Sequence, residues 1–270
     1  MKTAIIIPCY NEEKRIDQAA FKAFITQSEN HHLCFVNDGS KDQTLNVLKS
    51  IQHANPEKVT VIDMKRNSGK AAAVRAGARY LYSQENVQHI GFMDADLSTD
   101  FEDFMALDQT LKTNKNLKMV FGSRAKDESG IEKDPLRAFF SKVIKFCVFL
   151  ILGLPIQDTQ CGAKVFSRDL VPVIYGNQFL SKWLFDVEMF IRLKHHMGGK
   201  DAVMNAIHEQ ALQRWVHVED SKLGLKDSLE IPVRLFSIWF NYTLWAPATQ
   251  LNVASETEVL STVYSMPVAA

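Results

Sequence analysis

The chain has 270 residues, 46% of them hydrophobic, and its 31 lysines and arginines balance 31 aspartates and glutamates. That is enough apolar material for one large domain with an extension, and a formal charge of zero excludes a protein drawn to nucleic acid by its overall field. The four cysteines, Cys9, Cys34, Cys147 and Cys161, show neither paired spacing nor CxxC, so they read as reduced thiols of a cytosolic protein rather than a disulfide framework.

Residues 1–7 are too short for a signal peptide and run into "TAIIIPC", a β-branched strand stopped by Pro8. A helical pattern follows over about Glu13–Gln27, then the strand "LCFVN", then a helix carrying Leu45, Leu48 and Ile51 at helical spacing. "VTVIDM" is a third strand. "NSGKAAAVRAGARYLY" is a helix with Ser68 as its expected N-cap, and "HIGFMDAD" and "LKMVFGSR" are the fourth and fifth strands. Strand and helix thus alternate over residues 1–125, which predicts an α/β class with a doubly wound, mostly parallel central sheet and flanking helices. In such sheets ligands bind beyond the carboxyl ends of the strands. Here those ends carry Tyr10-Asn11-Glu12, Asn37-Asp38, Asp94-Ala95-Asp96 and Ser123-Arg124, four chemically useful clusters converging on one rim.

After Arg124 a polar stretch, "AKDESGIEKDP", precedes an apolar segment. Its longest run, Ala138–Ile156, is broken by Lys142 and Lys145, leaving about half of the roughly 20 residues that a membrane span needs. The expected element is an amphipathic helix over about 136–154, with Arg137, Lys142 and Lys145 beside Phe139, Phe140, Phe146 and Phe149. Such a helix rests in a bilayer interface or packs under the sheet as ordinary core. From about residue 246 periodicity is lost, which predicts a loosely held tail over 246–270.

The pair Asp94 and Asp96 poses the chemical question, since like charges so close repel unless a cation lies between them or one stays protonated. Alternation along a strand puts both carboxylates on one face, a donor set suited to Mg²⁺ or Mn²⁺, whose other ligands are phosphate oxygens and water. The alternative is a solvated loop with two acids. No P-loop and no GxGxxG follows the first strand, which disfavours a nucleoside triphosphatase or a dinucleotide dehydrogenase.

The blocks "IIIPCYNEE", "VNDGSKDQT", "MDADLSTD" and "FGSR" resemble, in order, those of family 2 inverting glycosyltransferases with the GT-A fold. "QDTQCGAKVFSRD", "WLFDVEM" and "WVHVEDSKL" are similar to blocks of the polyprenol-phosphate sugar transferases, most closely the dolichyl-phosphate β-glucosyltransferase branch. Where the family usually has Asp-Asp, this chain has Asn37-Asp38. The resemblance implies one GT-A domain over 1–245, with 1–125 binding the nucleotide sugar and 126–245 forming a C-terminal acceptor-side extension. It further implies that Pro8, Tyr10, Glu12, Val36, Asp38 and Lys70 hold the nucleotide, and that Asp94 and Asp96 bind the metal and diphosphate. By the same resemblance Arg124 and Arg137 receive the acceptor phosphate, Asp158 and Gln160 face the donor sugar, and Lys222 closes over the diphosphate.

The expected reaction is transfer of a hexose, best glucose, from a nucleotide sugar, UDP favoured over GDP, to a polyprenyl phosphate. A phosphate monoester is already ionised near neutral pH and needs orientation rather than a base. A glycan hydroxyl acceptor, the second reading, would need a base, for which Asp158, Asp186 and Glu188 are the candidates. A non-catalytic nucleotide-sugar-binding module is the third. The expected location is the cytoplasm, peripheral on the cytoplasmic face of a membrane, with no nucleic-acid partner.

Overall fold

The computed structural model describes residues 2–124, 135–214 and 225–245. In chain order the first elements are β1 (Lys2–Cys9), α1 (Gln18–Gln27), β2 (His31–Asn37), α2 (Thr44–Ala54), β3 (Val59–Asp63), α3 (Lys70–Tyr82) and β4 (Val87–Phe92). Then come α4 (Phe101–Thr113), β5 (Met119–Ser123), α5 (Pro135–Leu152), β6 (Lys164–Ser167) and α6 (Val171–Tyr175). The last are α7 (Phe185–Met197), α8 (Lys200–Ala206), β7 (Ile207–Ala211) and α9 (Leu225–Phe240), which continues as a π-helical turn over Asn241–Trp245. They fall into two units, one built from residues up to Asp96 with Arg168–Gln178, the other from Leu97–Ser167 and the described residues from Phe179 to Trp245.

In the first unit β1–β4 are all parallel, in the order β3-β2-β1-β4. Ala4–Ile7 and Leu33–Val36 are wholly buried, which explains why these strands are unbroken apolar runs rather than alternating ones. Helix α3 lies close because Gly77 has no side chain: a Cβ there would come 2.7 Å from Cγ2 of Ile6. Arg75 donates to the carbonyls of Tyr175 and Gly176, and Arg79 to that of Gly176, which ties α6 to this unit.

Two helix starts differ from the sequence expectation. Helix α1 begins at Gln18 rather than near Glu13, because Arg15 and Ile16 turn back onto the Glu12 carbonyl and Asp17 accepts from the Ala20 amide as N-cap. Helix α3 is preceded not by a Ser68 cap but by Gly69 at φ +95°, a backbone that serine adopts poorly.

In the second unit β5 pairs antiparallel with β6 and parallel with β7. Neither β6 nor β7 stands out in the sequence as an apolar run, and each is held by its partner instead. Helix α7 is buried from Phe185 through Ile191, so it is a core helix and not an amphipathic one. The expected helix at 136–154 is α5, ended by Gly153 at φ +64°. It packs against α9, which the sequence reading did not identify. Val143, Phe146, Phe149 and Leu150 of α5 are exposed, as are Val233, Phe236, Trp239 and Phe240 of α9. Among the described residues, no helix is long and apolar enough to cross a membrane. The expected tail, 246–270, lies outside the described residues.

Candidate active site

The first unit assembles its polar rim by binding loop to loop. After β1, Asn11 takes a left-handed backbone at φ +51°, which asparagine tolerates better than most residues. Its amide donates to Ser40 Oγ at 3.0 Å, and its Oδ1 accepts from the Lys41 amide at 2.9 Å. The Glu12 amide donates to Thr44 Oγ1 at 2.7 Å; the Glu13 amide donates to Asp42, and the Gln43 amide to the Glu13 carboxylate. The segments after β1 and β2 therefore hold each other reciprocally.

Asp38, only 3% exposed, accepts the Ser68 amide on Oδ1 and the Gly69 amide on Oδ2, each at 2.7 Å. This buried carboxylate shapes the turn that launches α3 and sets Lys70 on its first residue. Gly39, at φ +63°, permits it: a Cβ there would lie 2.4 Å from the carbonyl carbon of Arg66.

Strand β4 ends at Phe92, and the Met93 amide still bonds to the Ile6 carbonyl. Asp94 and Asp96 thus lie just past the strand rather than on it, and Leu97 at φ +53° turns the chain away. Alternation nevertheless persists, with Met93 and Ala95 buried and the two acids partly exposed between them. Lys70 Nζ sits 2.5 Å from Asp94 Oδ1, and Arg15 Nη2 donates to Asp96 Oδ2 at 3.1 Å. Arg15 Nε lies 3.6 Å from Glu12 Oε2. Each member of the acid pair thus has its own cation, supplied by a different segment.

Of the residues expected to hold a nucleotide, Pro8, Tyr10, Glu12, Asp38 and Lys70 all lie at or next to this rim. Val36 is wholly buried, and its Cγ2 packs toward Gly77 of α3, so its side chain does not reach the rim. Arg15 was missed by the sequence reading. Its only sequence mark is a position three residues after Glu12, inside a pattern that reads as helix.

In the second unit, Arg124 follows β5 and grips Asp158 as a fork, Nε to Oδ2 at 2.6 Å and Nη2 to Oδ1 at 2.8 Å, with its backbone amide donating to the same carboxylate. Glu209 of β7 fixes the Asp158 loop by accepting the Gln157 and Asp158 amides at 2.9 and 2.8 Å. Burial raises the Asp158 pKa, but the Arg124 hydrogen bonds and charge, with Lys164, outweigh it and hold the carboxyl below its ordinary value. The Gln160 amide donates to Asp158 Oδ1, while Gln160 Nε2 and Ser123 Oγ are buried and have no hydrogen-bond partner among the described residues.

Lys164, wholly buried, donates to the Cys161 carbonyl at 2.6 Å and lies 2.6 Å from Asp186 Oδ1. Cys161 is a packing residue: burial pushes its thiol up to about 11, and its Sγ would lie 2.8 Å from a Cβ at Gly122. Glu188, wholly buried, accepts the Leu180 and Ser181 amides and the Tyr242 hydroxyl, with Arg192 Nη2 3.6 Å away. Burial raises its pKa above the ordinary range against those donors. Arg137 falls within α5, though its side chain is outside the described residues, and Lys222 lies outside them altogether.

Comparison with known proteins bears on family and fold. A model described as glycosyl transferase family 2 matches residues 4–174. The chain is 32% identical over 235 residues to the dolichyl-phosphate beta-glucosyltransferase of Mus musculus, covering 82% of this chain and 69% of that one. With the protein of the same name from Drosophila melanogaster it shares 30% over 266 residues, 91% of this chain and 77% of the other. Crystalline glucosyl-3-phosphoglycerate synthase from Mycobacterium tuberculosis, in complex with Mn²⁺, UDP-glucose and phosphoglyceric acid, superposes with a TM-score of 0.64 over 92% of this chain and 81% of that chain, at 16% identity. That last likeness is one of fold, the GT-A architecture that the family resemblance implied, built on the mostly parallel sheet expected from the strand and helix order. By the family match and the identities together, the chain belongs to glycosyl transferase family 2.

Proposed function

We propose that this protein transfers glucose from UDP-glucose to a polyprenyl phosphate of the dolichyl type, with inversion at the anomeric carbon. The names of its relatives support the substrates. The observation that carries the choice of acceptor is the state of the three described carboxylates named as candidate bases. Asp158 is forked to Arg124 and held below its ordinary pKa, Asp186 is buried against Lys164, and Glu188 is buried under three hydrogen-bond donors. Asp158 and Asp186 are each committed to a cation, and Glu188, although its pKa is raised, has both oxygens already occupied by donors. A phosphate monoester, with a second pKa of about 6, arrives as a nucleophile and needs only orientation.

The donor-side roles follow from charge. Asp94 and Asp96, two partly exposed carboxylates on alternate residues, fit a hard divalent cation that takes its remaining ligands from phosphate oxygens and water. Bound there, Mg²⁺ or Mn²⁺ would supply counter-charge to the departing diphosphate. Pro8, Tyr10, Glu12 and the Asp38-shaped turn bind the nucleotide, with UDP favoured over GDP. Lys70 is placed to follow the diphosphate. Arg124, pinned by Asp158 yet 37% exposed at its side chain, orients the acceptor phosphate with Arg137, while Gln160 meets the sugar and Lys222 covers the diphosphate. The exposed apolar residues of α5 rest on a membrane surface on its cytoplasmic side, beside the prenyl tail of the acceptor.

The experiment is transfer of radiolabelled glucose from UDP-glucose, with GDP-mannose as competitor donor, in vesicles containing polyprenyl phosphate. The expected result is an organic-extractable, acid-labile product that depends on UDP-glucose. Label entering soluble glycan instead, with loss of that labelling in Asp186→Asn, would overturn the acceptor assignment.

A further inference from the structure

The acid pair of the first unit is already neutralised from within. Lys70 stands on Asp94 and Arg15 on Asp96, and all four side chains are between 21% and 32% exposed. Arg15 also faces Glu12, so it sits between two carboxylates from two segments. These contacts are partly solvated, the kind of ion pair that exchanges partners at little cost.

We propose that Arg15 is a competing internal cation for Asp96. It keeps the acid pair weak toward a divalent cation until a nucleoside diphosphate enters, and the incoming diphosphate then relieves it of that carboxylate. The proposal rests on the reading above that Asp94 and Asp96 are the cation ligands, and it adds a role to a residue that has none in it.

The argument is electrostatic. A divalent cation arriving alone must displace Arg15 from Asp96 and then remain beside a guanidinium and an ammonium, both repulsive. A diphosphate arriving with the cation offers those two groups oxygens of its own, and Arg15 with its planar donors is suited to take them. Cation and diphosphate therefore bind with positive coupling beyond what direct ligation supplies, and by linkage each tightens the other by the same factor. Arg15 and Glu12 belong to the turn closed on the Glu12 carbonyl, which the Glu12 amide anchors on Thr44. The guanidinium is thus held near Asp96 without being buried there.

The test is titration of the protein with Mn²⁺, following free Mn²⁺ by electron paramagnetic resonance, with and without UDP. Arg15→Gln should bind Mn²⁺ alone about five- to ten-fold more tightly than the wild type, the order of one solvated ion pair plus one removed like charge. The tightening produced by UDP should shrink in the same variant. Arg15→Lys, which keeps the charge but not the planar donors, should bind Mn²⁺ alone much as the wild type does and retain only part of the tightening by UDP. Adding Asp96→Asn to the wild type and to Arg15→Gln should narrow the difference between them to the part due to like-charge repulsion alone. Unchanged or weaker Mn²⁺ binding by Arg15→Gln, while the wild type takes up Mn²⁺ in the presence of UDP, would overturn the proposal and leave the metal reading intact. No Mn²⁺ uptake by the wild type even with UDP would overturn the metal reading itself, and this proposal with it. A circular-dichroism melt of each variant separates these results from misfolding.

Discussion

The acid pair of the first unit and three buried acids of the second are held in opposite ways. In the first, Asp94 and Asp96 are partly exposed and each meets a cation on a neighbouring segment. In the second, Asp158, Asp186 and Glu188 are at most 8% exposed and engaged with guanidinium, ammonium, backbone amides or phenol. The first arrangement keeps negative charge available for exchange, whereas the second fixes it. A carboxylate needed by an arriving cation has to be of the first kind, and one that orients other residues is better of the second.

The sharpest way to break this contrast is at the fixed end. Lys164→Met leaves Asp186 buried and without its ammonium, and should cost about 3–5 kcal/mol of stability, read by chemical denaturation. Replacing both partners by apolar residues should recover most of that loss. At the exchangeable end, Asp94→Ala or Asp96→Ala should lower glucosyl transfer by about 10²–10³-fold, comparable to the removal of a group stabilising developing charge. The denaturation midpoint of these variants should barely move, and exhaustive chelation should reproduce the loss in the wild type.

A smaller effect is expected at Gly39. Alanine there meets both a left-handed backbone and the Arg66 carbonyl carbon, so it should cost about 1–3 kcal/mol and weaken nucleotide binding as the Asp38 turn shifts. The mildest test is pH. Asp158 titrates lower when folded than when unfolded, so its contribution is complete above the ordinary aspartate value of about 3.9 and lost as pH falls through the lowered folded value. Glu188 is raised, so its contribution is complete below the ordinary glutamate value of about 4.3 and lost as pH rises through the folded value. Denaturation of Asp158→Asn and Glu188→Gln across that range should reveal opposite slopes relative to the wild type.

Much of the first unit was legible because local pattern and global position agree there. Its strands are continuous apolar runs, each ends in polar residues, and parallel order gathers those ends on one side. Arg15 escaped because its segment scans as helix, and only the Asp17 cap shows that the helix begins later. In the second unit Glu209 gave no signal, since β7 is a mixed strand whose existence depends on pairing with β5. Lys164 looks like a surface residue in any composition-based reading. Nothing local announces that Asp186, 22 positions away, will bury it.

The mutual hydrogen bonds between the segments following β1 and β2 have a consequence for how this protein could change over time. Because Asn11, Glu12 and Glu13 are each latched to Ser40, Lys41, Asp42, Gln43 or Thr44, neither segment can be replaced alone without stranding donors and acceptors on the other. Altered preference for the nucleotide is therefore expected to arise by paired exchange of both stretches, inherited as a cassette.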